Sequence, residues 1–414
     1  PWVKSDAWPF FLRYKQFFFG PNETVFFEIE MVMMMIDIVV LVLLLVNFDF
    51  SHGDKSVDKS RPNILIFLID DMGYSDLSVY GSKNHSTPNV ERIAKRGTRF
   101  TNWVSASSIC TPSRASIQTG RYAVRTGCTG NVEQYRVIPT PSSPYGLDPN
   151  TEISLARALS KHGNYTTSLF GKWHLGIGQD LKYHPSSHGY DSFWGSPYTN
   201  APMCEMDSQG LSLKHRSGPV YCFAMANRTV VQQPLRLENF TEQITNHAVD
   251  FIYQHQDKPW FQMVSYFHVH TPLFTMRKNR GRSKGGEFGD NVEEMDDSVG
   301  LVLDALEQTN QIEKTIIFLL SDNGPYQEEG YEKCGRSNVY DEETGKLLGR
   351  LRGGKGQIFE GGIRVPGIVV YPNVTTPGSV SDVFVSSLDI FPTVRSWFEC
   401  ESSLFVMVLL SFTL

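Results

Sequence analysis

Cysteine, positive charge and long apolar runs are all scarce in this sequence, and each shortage excludes a class of protein. The 414 residues contain six cysteines, too few for a small fold held together by disulfides. Lysine and arginine number 38 against 44 aspartates and glutamates, a formal net charge of −6, so the chain lacks the basic surface of a general nucleic-acid binder. No repeat of fixed period is present. The remaining composition, 41% hydrophobic and 20% charged, is that of an ordinary globular protein.

The longest apolar run near the N-terminus is too short to span a bilayer. It comprises nine residues, 38–46 (IVVLVLLLV), the length of the apolar core of a signal peptide. We therefore interpret residues 31–52 as a signal-peptide region and residues 1–30 as an upstream extension or a fragment edge. Asp37 stands where such a peptide has positive charge, which leaves a buried strand as the alternative.

Secretory entry would place the mature chain in the endoplasmic reticulum lumen, in the lysosome or outside the cell. Sites for N-linked glycans have the pattern Asn-x-Ser/Thr and suit such a chain. The sequence has this pattern at Asn84, Asn164, Asn227, Asn239 and Asn373.

Between about residues 61 and 394, apolar runs alternate with helical periodicity. Continuous apolar runs, typical of strands buried on both faces, occupy residues 63–69 and 315–320, and further strand candidates occupy residues 165–170, 260–267 and 368–371. Helical patterns occupy residues 89–96, 153–162, 241–255 and 292–306. This alternation predicts an α/β fold whose mostly parallel sheet is covered by helices on both faces. The glycine-rich stretch from Gly345 to Gly362 predicts a long functional loop.

Carboxylates follow two of the predicted strands directly. Asp70 and Asp71 end the first, and Asp322 with Asn323 ends the fourth. Adjacent acids repel each other unless a cation lies between them, and neither His nor Cys neighbours them in the sequence as zinc would prefer. Four oxygen ligands and a substrate oxygen would suit Ca²⁺ or Mg²⁺. The alternative is that each pair of polar residues caps a following helix or turn.

A cysteine stands at the predicted start of a helix. Pro112, two residues after the cysteine, fits the first helical position, which places Cys110 at a helix N-terminus, where the backbone N–H groups favour an anion. This pattern indicates a nucleophile beside an oxyanion, with Arg114 one turn further on to pair with it. A buried structural cysteine is the alternative.

The segment from Cys110 to Arg114 (CTPSR) resembles the signature of the sulfatase family, in which the cysteine is oxidised in the endoplasmic reticulum to formylglycine. Other stretches resemble further blocks of that family in the same order: Asp70-Asp71, residues 171–176 (GKWHLG), residues 268–273 (HVHTPL), Asp322-Asn323-Gly324 and residues 353–366. The resemblance covers about residues 61–394, interpreted as the catalytic domain. The amino-acid sequence of these stretches, together with residues 292–296 (VEEMD), most resembles the steroid-sulfatase branch of arylsulfatases. An alkaline-phosphatase-like fold is implied.

The resemblance implies a sulfuric-ester hydrolase acting on aryl or steroid-type sulfate esters, in which the hydrated aldehyde made from Cys110 attacks sulfur. One Ca²⁺, or alternatively Mg²⁺, would be held by Asp70, Asp71, Cys110, Asp322 and Asn323. The matching catalytic positions are Cys110, Arg114, Lys172, His174, His270 and Lys355. Substrate contacts would come from Lys172, His270, Lys355 and Thr199. His270 would protonate the leaving oxygen with a pKa near the working pH, and His268 is its rival. A formylglycine-generating enzyme would be the maturation partner.

Two departures from the family limit what the resemblance implies. Membrane-bound steroid sulfatase carries a transmembrane hairpin between two cysteines that Cys204 and Cys222 resemble, whereas here only residues 205–221, 17 in all, intervene. We expect a disulfide between these cysteines and no hairpin, with Cys128, Cys334 and Cys400 leaving an odd thiol. The match ends before an atypical apolar tail, 395–414, so we expect a truncated member without the family's smaller C-terminal domain.

Two other functions remain as alternatives. A phosphatase or phosphodiesterase of the alkaline-phosphatase superfamily would share the metal carboxylates but use Ser or Thr as its nucleophile, and Cys110 argues against it. An inactive sulfatase-like binding protein would fit the shortened chain.

Overall fold

The protein is described by a computed structural model over residues 61–129, 143–199, 222–327, 335, 338–340 and 346–399. The strands in these ranges are β1 (Asn63–Ile69), β2 (Thr98–Phe100), β3 (Trp103–Val104), β4 (Thr166–Lys172), β5 (Ser192–Ser196), β6 (Ala224–Ala226), β7 (Thr229–Gln232), β8 (Trp260–Ser265), β9 (Thr315–Ser321), β10 (Asn338–Tyr340), β11 (Leu347–Arg350), β12 (Gly367–Val370), β13 (Ser379–Ser381) and β14 (Val385–Ser386). The helices are α1 (Pro88–Arg96), α2 (Cys110–Thr119), α3 (Ala123–Thr126), α4 (Leu155–Gly163), α5 (Phe240–Gln254), α6 (Gly286–Gln308), α7 (Glu360–Ile363) and α8 (Ile390–Glu399).

One ten-stranded sheet organises the described residues, in the order β13-β2-β12-β9-β1-β8-β4-β5-β6-β7. The five central strands, from β9 to β5, are parallel to one another. Antiparallel strands flank them, with β12 pairing β9 on one side and β6 pairing β5 on the other. The sheet is therefore mostly parallel at its centre, as the alternating sequence pattern predicts.

Both faces of the sheet are covered by helices, because side chains alternate along each central strand. In β1, Leu65, Phe67 and Ile69 pack in a core that includes residues of α1, α5 and α6. Ile64, Ile66 and Leu68 of the same strand pack on the other face with residues of α2, α4 and α8. All seven residues of β1 are buried, which explains its continuous apolar sequence.

The predicted elements lie close to the observed ones, with one clear correction. The run predicted at 63–69 is β1 without any shift, and the helix predicted over 292–306 begins earlier, at Gly286. The stretch from Gly345 to Gly362, predicted as a loop, contains β11 and the start of α7. β11 forms a separate antiparallel pair with β10, a strand close to it in the sequence. The high glycine content of this stretch hides the strand from a prediction based on composition.

Several predictions fall on residues that the structure does not describe. The signal-peptide region, residues 1–30 and the tail beyond Glu399 lie outside the described ranges. Cys222 is disulfide-bonded, but its predicted partner Cys204 is not among the described residues, so the pairing stays a prediction. Within the described ranges, none of the helices has both the length and the apolar character needed to cross a bilayer.

The N-terminus of α1 is capped by a residue from another helix. Thr87, at the N-cap position, makes no side-chain cap hydrogen bond. Instead, Asp296 of α6 accepts hydrogen bonds from the backbone N–H groups of Asn89 at 3.0 Å and Val90 at 2.8 Å, and from the Asn89 side chain at 2.9 Å. These N–H groups have no partner within the helix, so Asp296 both caps α1 and fastens it to α6.

Replacing Asp296→Ala should lower the free energy of unfolding by about 1–3 kcal/mol, because two helix N–H groups lose their acceptor. Chemical denaturation measures this directly. The matched control is Asp297→Ala, which removes only an exposed ion pair to Arg282 and should cost about 1 kcal/mol or less. Equal losses in the two variants would contradict the capping role.

Candidate active site

The predicted metal ligands meet at the carboxyl ends of β1 and β9. These strands are parallel neighbours, with Ile69 opposite Ser321, so the residues that follow them emerge side by side. The backbone N–H of Asp71 donates to Asp322 Oδ1 at 3.2 Å, and Asn323 Nδ2 donates to Asp71 Oδ1 at 2.7 Å. Asp71 has φ 58°, a left-handed conformation that a non-glycine residue adopts at some energetic cost. Three buried carboxylates and one carboxamide thus share one small volume.

Each carboxylate in this cluster has a cation beside it. Lys172 Nζ lies 2.5 Å from Asp70 Oδ2, and Lys355 Nζ lies 2.7 Å from Asp71 Oδ2. Arg114 Nη2 lies 2.8 Å from Asp322 Oδ2 and 3.5 Å from Asp70 Oδ1. Oppositely charged neighbours at this range offset the cost of burying charge.

Arg114 contacts a carboxylate and a hydroxyl from two different strands. Its guanidinium donates to Asp322 Oδ2 at 2.8 Å and to Ser265 Oγ at 2.7 Å, and its pairing with an oxyanion stays a prediction. Ser265 ends β8 and also donates to the Lys172 carbonyl at 2.7 Å. Sequence reasoning missed Ser265, and its position at the end of a central strand is the only signal that could have indicated it.

Lys172 ends β4, and the glycine before it allows the strand to approach β8 closely. Gly171 has φ 114°, and a Cβ there would lie 1.8 Å from the Ser265 carbonyl oxygen. Any other residue would push β4 away from β8. The position of the Lys172 ammonium group at Asp70 therefore depends on this glycine.

Lys355 reaches the cluster from a loop whose backbone is hydrogen-bonded to two other segments of the chain. Its N–H donates to the Pro325 carbonyl at 2.8 Å, and the N–H of Gly356 donates to the Ser108 carbonyl at 2.7 Å. Burial would lower the pKa of Lys355, but Asp71 beside it reverses the effect and the pKa rises, so the ammonium is charged at neutral pH. Burial would likewise raise the pKa of Asp71, but Lys355 and His270 hold it below its usual value.

Cys110 is the first residue of α2, as expected for a residue at a helix N-terminus, and it is buried in the cluster. Its Sγ lies 3.5 Å from Asp70 Oδ1 and 3.9 Å from Asp71 Oδ1. Burial raises the pKa of the thiol to about 12 although Lys172 and Lys355 oppose the shift. An unmodified thiol at this position is therefore uncharged at neutral pH and is a poor nucleophile.

The cluster has the composition of a hard-cation site. Ligand atoms of Asp70, Asp71, Cys110 and Asp322 all lie within 4.8 Å of one another. Asn323 Oδ1 is buried and has no hydrogen-bond partner, an unsatisfied acceptor of the kind that a cation would satisfy. Oxygen donors of this type suit Ca²⁺ or Mg²⁺. The fold also brings Cys110 and His270 to this cluster, although neither is adjacent to it in the sequence.

Two imidazoles lie at this cluster. Both ring nitrogens of His174 are buried without a hydrogen-bond partner. His270 Nε2 lies 3.7 Å from Asp71 Oδ2, and its Nδ1 bonds the Thr271 carbonyl, which can only accept, so Nδ1 carries a proton and Nε2 faces the cluster. Burial and the nearby lysines hold the pKa of both rings well below the usual value, whereas the sequence analysis places the pKa of His270 near the working pH.

Two predicted residues remain, His268 and Thr199. His268, the rival of His270, is turned away from the cluster, and its Nε2 lies 2.9 Å from Thr241 Oγ1 and 3.2 Å from Glu294 Oε1. Thr199 is half-buried after β5, at the edge of the described residues. The described contacts do not bring Thr199 to the carboxylates, so its role stays a prediction.

Comparisons with known proteins agree with this geometry. A sequence model of the sulfatase family matches residues 62–400. Steryl-sulfatase of Homo sapiens is 35% identical over 393 residues, which cover 81% of this chain and 66% of that protein. An arylsulfatase of Hemicentrotus pulcherrimus is 37% identical over 341 residues, which cover 80% of this chain and 57% of that protein.

A solved protein structure has a fold similar to that of this chain. The crystal structure of the PsFucS1 sulfatase from Pseudoalteromonas sp. matches with a TM-score of 0.70 at 27% identity, covering 82% of this chain and 68% of that one. This chain spans about two thirds or less of the length of the two curated relatives above. With a family match that covers most of its length, the chain belongs to the sulfatase family.

Proposed function

We propose that this chain is the catalytic part of a sulfuric-ester hydrolase that cleaves aryl or steroid-type sulfate esters. The observation that carries the proposal is the position of Cys110, within 4.8 Å of three carboxylates that are themselves paired with three cations. The alternative phosphatase would have Ser or Thr at this position, and Cys110 begins a segment that matches the modification motif of sulfatases.

Charge balance favours an anionic substrate. The carboxylates of Asp70, Asp71 and Asp322 offset the charges of Lys172, Lys355 and Arg114, three negative against three positive. We propose that Asp70, Asp71, Asp322 and Asn323, with the modified Cys110, hold one Ca²⁺, or Mg²⁺ in its place. A divalent ion would leave two positive charges in excess and would polarise a sulfuryl oxygen.

The proposed nucleophile is formylglycine, made from Cys110 by a formylglycine-generating enzyme during maturation. Its hydrated aldehyde would supply a hydroxyl nucleophile that the buried thiol does not. The chain's contribution is orientation: α2 places residue 110 at its N-terminus, and Thr111 Oγ1 donates to the His174 carbonyl at 2.8 Å. This bond joins the start of α2 to the segment that carries His174.

The remaining side chains are proposed to bind the sulfate group and the leaving oxygen. His174 has two buried nitrogens without partners, and a sulfate oxygen would satisfy one of them. Lys172 and Lys355 provide fixed positive charge where negative charge accumulates. His270 presents Nε2 to the cluster without a proton, because the lowered pKa keeps the ring neutral; Nε2 would therefore first accept a proton and then pass it to the leaving oxygen. Thr199 would supply a hydroxyl on the substrate side.

We also propose that the chain matures in the secretory pathway, where formylglycine is made. The five asparagines of its glycan-acceptor sequences, named above, are all exposed, as attachment requires. Their exposure is compatible with glycosylation. The oxidising compartment would also allow the proposed disulfide between Cys204 and Cys222.

Cys110→Ala should reduce kcat/KM for 4-nitrophenyl sulfate by at least about a thousandfold, because it removes the atom from which the nucleophile is made. The matched control is Cys128→Ala, which removes another buried cysteine side chain, and which should retain the turnover of its parent at a temperature where both are folded. The parent should prefer 4-nitrophenyl sulfate to 4-nitrophenyl phosphate. Undiminished turnover in the Cys110 variant would refute the assignment.

Asp322→Asn should lower metal affinity at least about tenfold, because it removes one charged ligand while nearly preserving side-chain shape. Elemental analysis after dialysis against a low calcium concentration measures the bound metal. The control is Asp290→Asn, a change at another buried aspartate that accepts backbone hydrogen bonds at 2.6–2.9 Å outside the cluster. If Asp322→Asn keeps as much metal as its parent, the proposed ligand set is wrong.

A further inference from the structure

The carboxylate of Glu294 in α6 makes three polar contacts with the loop that carries His270. Its Oε1 lies 3.2 Å from His268 Nε2, while its Oε2 accepts hydrogen bonds from the Met276 N–H at 2.7 Å and from Asn279 Nδ2 at 2.9 Å. Glu294 is 3% exposed. A buried carboxylate with three donors from one loop is a strong local anchor.

The same loop is fixed to the end of β1 through the backbone. The Asp70 N–H donates to the His268 carbonyl at 2.8 Å, and the Val269 N–H donates to the Asp70 carbonyl at 2.7 Å. His268 therefore stands between two attachments, with its backbone on Asp70 and its ring on Glu294. His270 follows two residues later, with its Nε2 facing Asp71.

From this chain of contacts we infer that Glu294 and His268 are positioning residues, which hold the loop so that His270 Nε2 faces the reacting group. The inference rests on the proposed function of His270. Neither residue touches the carboxylate cluster with its side chain: His268 acts through the loop backbone, and Glu294 acts through the ring of His268. Hydrogen bonds to the residues that carry a functional side chain commonly fix the orientation of that side chain.

The hydrogen-bond chemistry explains why a carboxylate is needed at position 294. A carboxylate can only accept, so His268 Nε2 carries the proton in this pair. His268 Nδ1 is buried without a partner. A carboxamide at position 294 would turn its nitrogen either towards the Nε2 proton or towards the Met276 N–H and Asn279 Nδ2, so that in both orientations a donor faces a donor. Moving the His268 proton to Nδ1 would instead leave a buried donor unpaired. Each of these arrangements weakens the anchor without removing much volume.

The adjacent residue provides a matched control. Glu293 is 8% exposed and is also a hydrogen-bonded acid of α6. Its carboxylate instead accepts from the Ser86 N–H at 3.1 Å and from Arg282 Nε at 3.1 Å. Glu293→Gln therefore makes the same chemical change one residue away, without a described bond to His268, Met276 or Asn279.

The test compares Glu294→Gln with Glu293→Gln in the full chain. We expect Glu294→Gln to lower kcat for 4-nitrophenyl sulfate about 10–100-fold with KM changed less than about threefold and metal content unchanged. Glu293→Gln should remain within about threefold of its parent. In a His270→Ala background, Glu294→Gln should cause little further loss, because the residue that it positions is gone. An undiminished loss in that background would overturn the inference.

Amide hydrogen exchange tests the anchor independently of activity. Glu294→Gln should speed exchange over residues 266–279, and Glu293→Gln should not. Equal exchange in this loop in both variants would overturn the inference whatever the kinetics show. A parent without sulfate-ester turnover would count against the proposed function, and the exchange comparison alone would then decide whether Glu294 anchors the loop.

Discussion

Repulsion among three buried carboxylates is the constraint on which the rest of this structure depends. Asp70, Asp71 and Asp322 lie together because β1 and β9 are parallel neighbours that end at the same level. Three like charges at such distances are tolerated only with cations close by. The ion pairs to Lys172, Lys355 and Arg114 meet that need, and a divalent metal would meet it further. The elements that supply these cations, β4, α2 and the loop before α7, are thereby fixed in relation to the sheet.

The fold provides this arrangement through ordinary α/β packing. Central parallel strands must be buried on both faces, and the two apolar cores on either side of β1 do this. The polar residues then have one place to lie, the carboxyl ends of the strands, where ligands bind in open α/β sheets. Cys110 at the start of α2 and Lys172 at the end of β4 contact the two different carboxylate oxygens of Asp70. The topology of the sheet thus brings these functional side chains together at the carboxyl ends of its central strands.

The sequence predicts what depends on local pattern and misses what depends on distant partners. The six apolar residues of β1 that follow Asn63 define the strand without error, because burial on both faces imposes a continuous apolar run. Strands of only three residues, such as β2 and β13, leave no comparable pattern. The motif matches placed Asp70 and Lys172 in one site, 102 residues apart. The pairing of Arg114 with Asp322 and the contact between His268 and Glu294 could not be predicted, because each depends on how separate elements pack.

The buried residue at position 110 is proposed to act as an aldehyde in a sulfate-ester hydrolase. Mass spectrometry of the peptide that contains residue 110, from protein produced in animal cells, tests this directly. We expect formylglycine at this position in a preparation that hydrolyses 4-nitrophenyl sulfate. A preparation that hydrolyses the ester with an intact thiol at Cys110 in all its chains would contradict this proposal.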